Sequence, residues 1–319
     1  MLLGMQDGYA MKRVDLSVEL GGVRLGNPIL TASGTSGYGE ELGPYLDLKQ
    51  LGAFVTKSVT VEPRKGNRPP RTVETAAGML NAIGLANVGL ERFVADKVPF
   101  LAELGIPVIV NVAGHNVGDY VAVCRRLDPI ECLSGLELNV SCPNVADGLE
   151  FGTDPDRLGE LVSAVRAEVK KSLLIVKLSP NVTDITATAR AAIEAGADVL
   201  SLINTLSGMA INADTQRAML ANTCGGLSGP AIKPVALAMV YRVYTTVARE
   251  AGVPLIGMGG VRTWRDAVEF LLAGATAVGV GTSLFVDPTG PVGIRDGLEA
   301  YLGERGLRGV GELVGKVQV

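Results

Sequence analysis

Gly135-Leu-Glu-Leu-Asn-Val-Ser-Cys-Pro-Asn144 begins as a core strand and closes in a cluster of polar groups. Leu138, Val140 and their apolar neighbours read as a buried strand. Asn139, Ser141, Cys142 and Asn144 follow, all able to hydrogen-bond or ionise. A thiol beside a proline and two carboxamides is an odd finish for a core strand. It is a good way to present a base and recognition groups to a flat heterocycle. The same device, a short apolar run ending in polar or glycine-rich residues, recurs along the chain. It predicts strands at Ile29–Ser33, Ala53–Ser58, Pro107–Val112, Leu136–Ser141, Leu173–Leu178, Val199–Ile203, Pro254–Met258 and Ala277–Gly281.

Helical patterns fill the intervals: Leu90–Leu104, Asp119–Leu127, Pro155–Lys171, Asp184–Ala195, Pro234–Ala251, Trp264–Ala273 and Val292–Leu302. The third has Asp154 as N-cap, Pro155 at the first helical position and lysines at its end. Strand and helix in regular alternation make the chain an α/β protein, and the eight units predict a (β/α)8 TIM barrel. A doubly wound sheet is the alternative. Ahead of the first unit, Val14–Leu20 and Val23–Leu25 flank Gly21-Gly22, a hairpin signal, and would cap the barrel's N-terminal mouth. Val59–Gly89 and Leu206–Gly229 exceed ordinary connection lengths and follow strands, so both belong on the C-terminal face, where barrel active sites lie.

The chain has 319 residues, 47% hydrophobic, with 41 glycines and a net charge of −4. Barrels of this size form one domain, and we read residues 12–319 as one, preceded by a disordered extension over 1–11 or an upstream start before Met11. The charge gives no footprint for nucleic acid or an anionic membrane. No apolar run approaches the ~18 residues of a membrane span. The first residues carry Asp7 and lack a basic n-region, so no signal peptide is expected. Cys124, Cys132, Cys142 and Cys224 form no C-x-x-C pair, and His115 is the one histidine. That argues against a zinc or iron–sulfur site built from this chain, and free thiols suit a reducing cytosol.

The strand ends converge on one pocket in a parallel barrel. They supply Thr56-Lys57-Ser58, Asn111, Asn139 with Cys142 and Asn144, Lys177, Asn204-Thr205, Gly259-Gly260 and Gly281-Thr282. Lys57 and Lys177 each close an apolar strand with no adjacent acid. Either an electron-rich or anionic ligand neutralises them, or they reach solvent or a distant carboxylate. The clusters Ile256-Gly-Met-Gly-Gly-Val261 and Val278-Gly-Val-Gly-Thr-Ser283, on consecutive strands, favour phosphate binding by backbone amides; singly each reads as a tight turn. Asn81, Asn111, Asn139, Asn144 and Asn204 offer donor and acceptor together, matching an imide edge, although turns and caps are asparagine's commoner use. Cys142 reads either as a structural thiol or as a general base with an ordinary pKa of ~8.5. Cys124 falls within a helix and reads as core.

Specific motifs then resemble one family, the class 1 dihydroorotate dehydrogenases: Val55-Thr-Lys-Ser-Val59, Asn81-Ala-Ile-Gly-Leu85, Asn139-Val-Ser-Cys-Pro-Asn144, Gly226-Leu-Ser-Gly-Pro230 and both glycine clusters. The resemblance runs from about Met11 to Asp287. The cysteine in the fourth position of Asn-x-Ser-Cys-Pro-Asn is similar to class 1. Glu62–Arg71, Gly78–Leu85 and Ala231-Ile-Lys-Pro-Val235 resemble the NAD-linked 1B catalytic subunit. Thr282-Ser-Leu-Phe285 and Cys224-Gly-Gly226 depart from the usual pattern.

The resemblance implies oxidation of (S)-dihydroorotate to orotate in pyrimidine synthesis, with Cys142 as base and FMN as hydride acceptor. It implies substrate contacts from Lys57, Asn81, Gly84, Leu85, Asn139, Asn144, Asn204 and Thr205. For FMN it implies Ser33, Lys57, Ser58, Asn111, Asn139, Lys177, Ile203, Gly229, Gly259, Gly260, Gly281 and Thr282. It also implies a homodimer of this chain within a cytoplasmic heterotetramer, whose second subunit carries FAD and a [2Fe–2S] cluster. Two rivals stand beside it: a stand-alone, fumarate-dependent 1A enzyme, and a non-redox phosphate-binding barrel lyase with lysine Schiff-base chemistry.

Overall fold

The computed structural model describes residues 14–141 and 151–319. Eight parallel strands form one sheet: β1 (Ile29–Thr31), β2 (Phe54–Val55), β3 (Val108–Val112), β4 (Leu133–Asn139), β5 (Leu173–Lys177), β6 (Val199–Leu202), β7 (Leu255–Met258) and β8 (Ala277–Val280). Its order runs β1-β8-β7-β6-β5-β4-β3-β2. A parallel bridge between Leu30 and Ala53 closes the ring. The seam at β1 and β2 is short, and a side chain completes it. Thr31 Oγ1 accepts from Val55 N at 2.8 Å and donates to Val55 O at 3.1 Å. The expected barrel is therefore present.

Burial on both faces explains why these strands read as unbroken apolar runs: every residue of β3, β5, β6, β7 and β8 is buried. The strands stop short of the polar residues that follow them. β4 ends at Asn139, where its pairing with Lys177 of β5 ends, so Val140 and Ser141 lie beyond the ladder.

Helices fall in the expected intervals. Asp154 accepts from the N–H of Asp156 and Arg157 and starts Pro155–Glu168, while Thr263 and Asp266 form a capping box on Trp264–Ala273. Among the described residues no helix is long and apolar enough to cross a membrane.

Val18–Leu20 and Val23–Leu25 pair as the expected hairpin. Gly21, at φ +58°, lies against Leu173 and Val199 at the starts of β5 and β6, which seats the turn at the barrel's N-terminal end. The two long insertions hold more order than their turn-rich sequence suggests. Thr72–Thr75, Gly78–Asn81, Leu206–Met209 and Cys224–Ser228 join in one four-stranded antiparallel sheet. That sheet follows β2 and β6 and roofs the C-terminal face.

Candidate active site

Deepest in the mouth, three strands contribute one hydrogen-bonded row. Ser58 Oγ donates to Asn111 Oδ1 at 2.5 Å, and Asn111 Nδ2 donates to Glu137 Oε1 at 2.6 Å. Ser201 Oγ donates to Glu137 Oε2 at 2.7 Å. Asn111, Glu137 and Ser201 belong to β3, β4 and β6, so these side chains point into the barrel.

Lys177 ends β5 and is 5% exposed. Its Nζ donates to Ser33 Oγ at 3.0 Å, and among the described residues no carboxylate lies within 4.0 Å of it. A buried ammonium held by one hydroxyl is incompletely compensated. Lys57 likewise lacks a close carboxylate; its Nζ stands 4.9 Å from the centroid of the Tyr38 ring. Burial pushes the Tyr38 phenol up to about 12, so the ring under Lys57 stays neutral.

Asn139 and Asn204, from β4 and the end of β6, meet directly. Asn204 Nδ2 donates to Asn139 Oδ1 at 3.0 Å, and Thr205 N donates to Asn204 Oδ1 at 2.8 Å. Asn139 is paired in register with Lys177, so the carboxamides adjoin the buried ammonium. Ile203 is buried, with its N–H on Met258 O.

The roof supplies the next group. Asn81 Nδ2 donates to Gly226 O at 3.2 Å, binding the two insertions together. Gly84 and Leu85 adopt φ +75° and +55° in succession. Asn87 Nδ2 holds Leu85 O at 2.7 Å, and a Cβ on Gly84 would lie 2.7 Å from Asn67 N. This left-handed pair turns backbone groups in a direction a regular strand cannot.

Gly229, Gly260 and Thr282 gather on the remaining side. Gly229 has φ +95°, and its carbonyl lies 2.8 Å from where a Gly260 Cβ would stand. Thr282 Oγ1 donates to Ser228 Oγ at 2.8 Å. Gly259 packs on Ala236 and Ile232, and Gly281 caps the short helix Thr282–Phe285 against Ala32. Missing side chains here leave backbone open to a close-lying group.

Cys142 and Asn144 lie outside the described residues. Just before them, Ser141 has a buried hydroxyl without a hydrogen-bond partner among the described residues. Cys124 is in the helix Val117–Leu127 and fully buried, as expected, and burial raises its thiol far above the ordinary range.

Sequence reasoning passed over two supports. Glu137 is an acid that points into the barrel; its signal is a charge in mid-strand, within the stretch quoted first. Tyr120 is wholly buried and donates from its hydroxyl to Asn139 O at 2.7 Å. Helical periodicity marks it only as core.

A buried ammonium with no carboxylate near it among the described residues, side-by-side carboxamides and a side-chain-free glycine corner fit a planar ligand with an anionic tail. The class that this fold and site define is thus a (β/α)8-barrel enzyme with its site under a β roof. The chain matches the dihydroorotate dehydrogenase family over residues 15–302 and belongs to that family. It is 54% identical to the dihydroorotate dehydrogenase B (NAD(+)) catalytic subunit of Geotalea uraniireducens over 306 residues, 96% of this chain and 99% of that protein. The subunit of the same name from Pelobacter propionicus is 54% identical over 305 residues, 95% and 99% of the two chains. That from Geotalea daltonii is 52% identical over 310 residues, 97% and 100%.

Proposed function

We propose that this chain is the FMN-carrying catalytic subunit of an NAD-linked enzyme that oxidises (S)-dihydroorotate to orotate, with Cys142 as the base. Membership of the family makes it an oxidoreductase acting on dihydroorotate in pyrimidine synthesis. Cys142 takes the C5 proton on its Sγ as the C5=C6 double bond forms. Lys57 balances the substrate carboxylate. Asn81, Asn139, Asn144 and Asn204, with Thr205 and the Gly84-Leu85 backbone, present donors and acceptors to the imide edge. Flavin, when bound, supplies the acceptor for the two electrons and the hydrogen leaving C6.

The residues fit that cofactor. Lys177 is buried, with no counter-ion among the described residues, and would balance negative charge on the ring. Asn111, Ser58, Ser33 and Ile203 would face the ring. Gly229, Gly259, Gly260, Gly281 and Thr282 would take the ribityl phosphate through backbone and hydroxyl donors. The relatives are named as catalytic subunits, which supports a partner subunit; we extend this to a cytoplasmic assembly of a dimer of this chain with an electron-transfer subunit carrying FAD and [2Fe–2S].

The observation that carries the reading is Lys177, buried beside Asn139 with a hydroxyl but no carboxylate in reach among the described residues. The purified chain should be yellow, and dihydroorotate should bleach it without oxygen. A flavin that stays oxidised under excess dihydroorotate refutes the activity. Turnover should need the partner and NAD+; brisk fumarate reduction by the isolated chain would overturn the NAD-linked assignment.

A further inference from the structure

Glu137 lies in the middle of β4, 1% exposed. Among the described residues no lysine or arginine reaches it within 4.0 Å, and its two oxygens accept only from Asn111 and Ser201. A buried carboxylate so placed is costlier than an apolar residue of the same volume, so packing does not account for it.

The network it makes has a direction. A carboxylate only accepts, so Asn111 turns its Nδ2 toward Glu137 and its Oδ1 toward Ser58. Reversing that amide would set two oxygens 2.6 Å apart. Ser58 has then committed its proton to Asn111, and can only accept from anything further along. Asn111 keeps one N–H without a partner among the described residues. A donor and an acceptor are thereby fixed side by side at the ends of β2 and β3.

The geometry points to Glu137 as a positioning residue for the cofactor ring: through Asn111 it sets the hydrogen-bond polarity that a heterocycle edge with both C=O and N–H meets. This inference rests on the flavin reading of the site. Glu137 itself touches no ligand; Asn111 and Ser58 do.

The test is an FMN titration of apo-protein, followed by flavin fluorescence and the visible spectrum of the bound form, with circular dichroism as a check on folding. Glu137→Leu should weaken FMN binding by roughly ten-fold or more, whereas in an Asn111→Ala background it should add less than about two-fold. Glu137→Gln, whose Oε1 can still accept from Asn111, should keep the wild-type spectrum. Should Glu137→Leu not fold, Glu137→Asp, too short to span Asn111 and Ser201, takes its place in the cycle. Equal losses in both backgrounds, or unchanged affinity in a folded Glu137→Leu or Glu137→Asp protein, would overturn the inference. Wild-type apo-protein that binds no FMN would instead sink the flavin reading, and this inference with it.

Discussion

Lys177 Nζ lies 3.0 Å from Ser33 Oγ although their elements, β5 and the end of β1, stand opposite each other in the barrel. The side chain therefore crosses the mouth, and its charge sits near the axis, walled off from water. Any ligand seated there must settle that charge.

Replacing Lys177 by methionine separates the cost of the charge from its use. The apo-protein should melt at an equal or higher temperature, because an uncompensated buried ammonium is removed. The potential of bound flavin should fall by roughly 30–60 mV, or about 1.4–3 kcal/mol for a two-electron couple. Scanning calorimetry and anaerobic redox titration read the two effects. A markedly less stable apo-protein would mean that Lys177 is structural.

Cys142→Ala should leave flavin bound and slow its bleaching by dihydroorotate on the order of 10²–10⁴-fold, the usual worth of a positioned base. A thiol acts as a base only when deprotonated, so under the proposed role the wild-type rate of flavin reduction should climb with pH and level off near the thiol's ordinary ~8.5. Stopped-flow absorbance measures both. A flat pH profile would remove the thiol from the mechanism.

Asp128 gives a pH-dependent contribution to stability remote from the site. Burial alone would raise its pKa, but the N–H groups of Ser172, Lys170 and Lys171 outweigh it and hold the group below its ordinary 3.8. A lowered folded pKa stabilises above the unfolded value and is lost as pH falls through the folded one. Asp128→Asn should cost roughly 1–3 kcal/mol at pH 7. That penalty should shrink as pH drops below 3.8, as thermal melts across pH will show.

Gly229→Ala and Gly252→Ala separate strain from steric clash. Both positions have positive φ, at +95° and +68°, but a Cβ meets Gly78 Cα at 2.7 Å in the first and nothing within 4 Å in the second. Gly252→Ala should cost about 1 kcal/mol. Gly229→Ala should cost more, roughly 2–3 kcal/mol, and weaken FMN binding as well. Equal melting temperatures for the two would contradict the close approach of Gly229 to Gly78.

The barrel is legible because parallel strands covered on both faces are written as apolar runs, and their polar ends stand out by contrast. Lys177, Asn111, Asn139 and Asn204 are found this way, and the structure brings Asn139 and Asn204 into contact. The partner of Lys177 is not legible: Ser33 is 144 residues away, and nothing local encodes which strand faces which. Glu137 stands in the most conspicuous stretch of all, yet a strand buried on both sides gives no sign that its acid points inward. The roof escapes because its strands are only four or five residues long and three of the four contain glycine, too short for an alternation to register.

That roof also sets an order of events. Its central pairing, Asn81 with Gly226, closes a loop of 145 residues, and such remote contacts reward the chain only after the intervening segment is in place. During synthesis from the N-terminus, more than half of the barrel can condense while the hairpin of the first insertion still lacks its partner strand Cys224–Ser228. The cavity therefore cannot be roofed before residue 228 has emerged, and its last wall arrives only with Ala277–Val280 and Thr282, whose hydroxyl reaches back to Ser228.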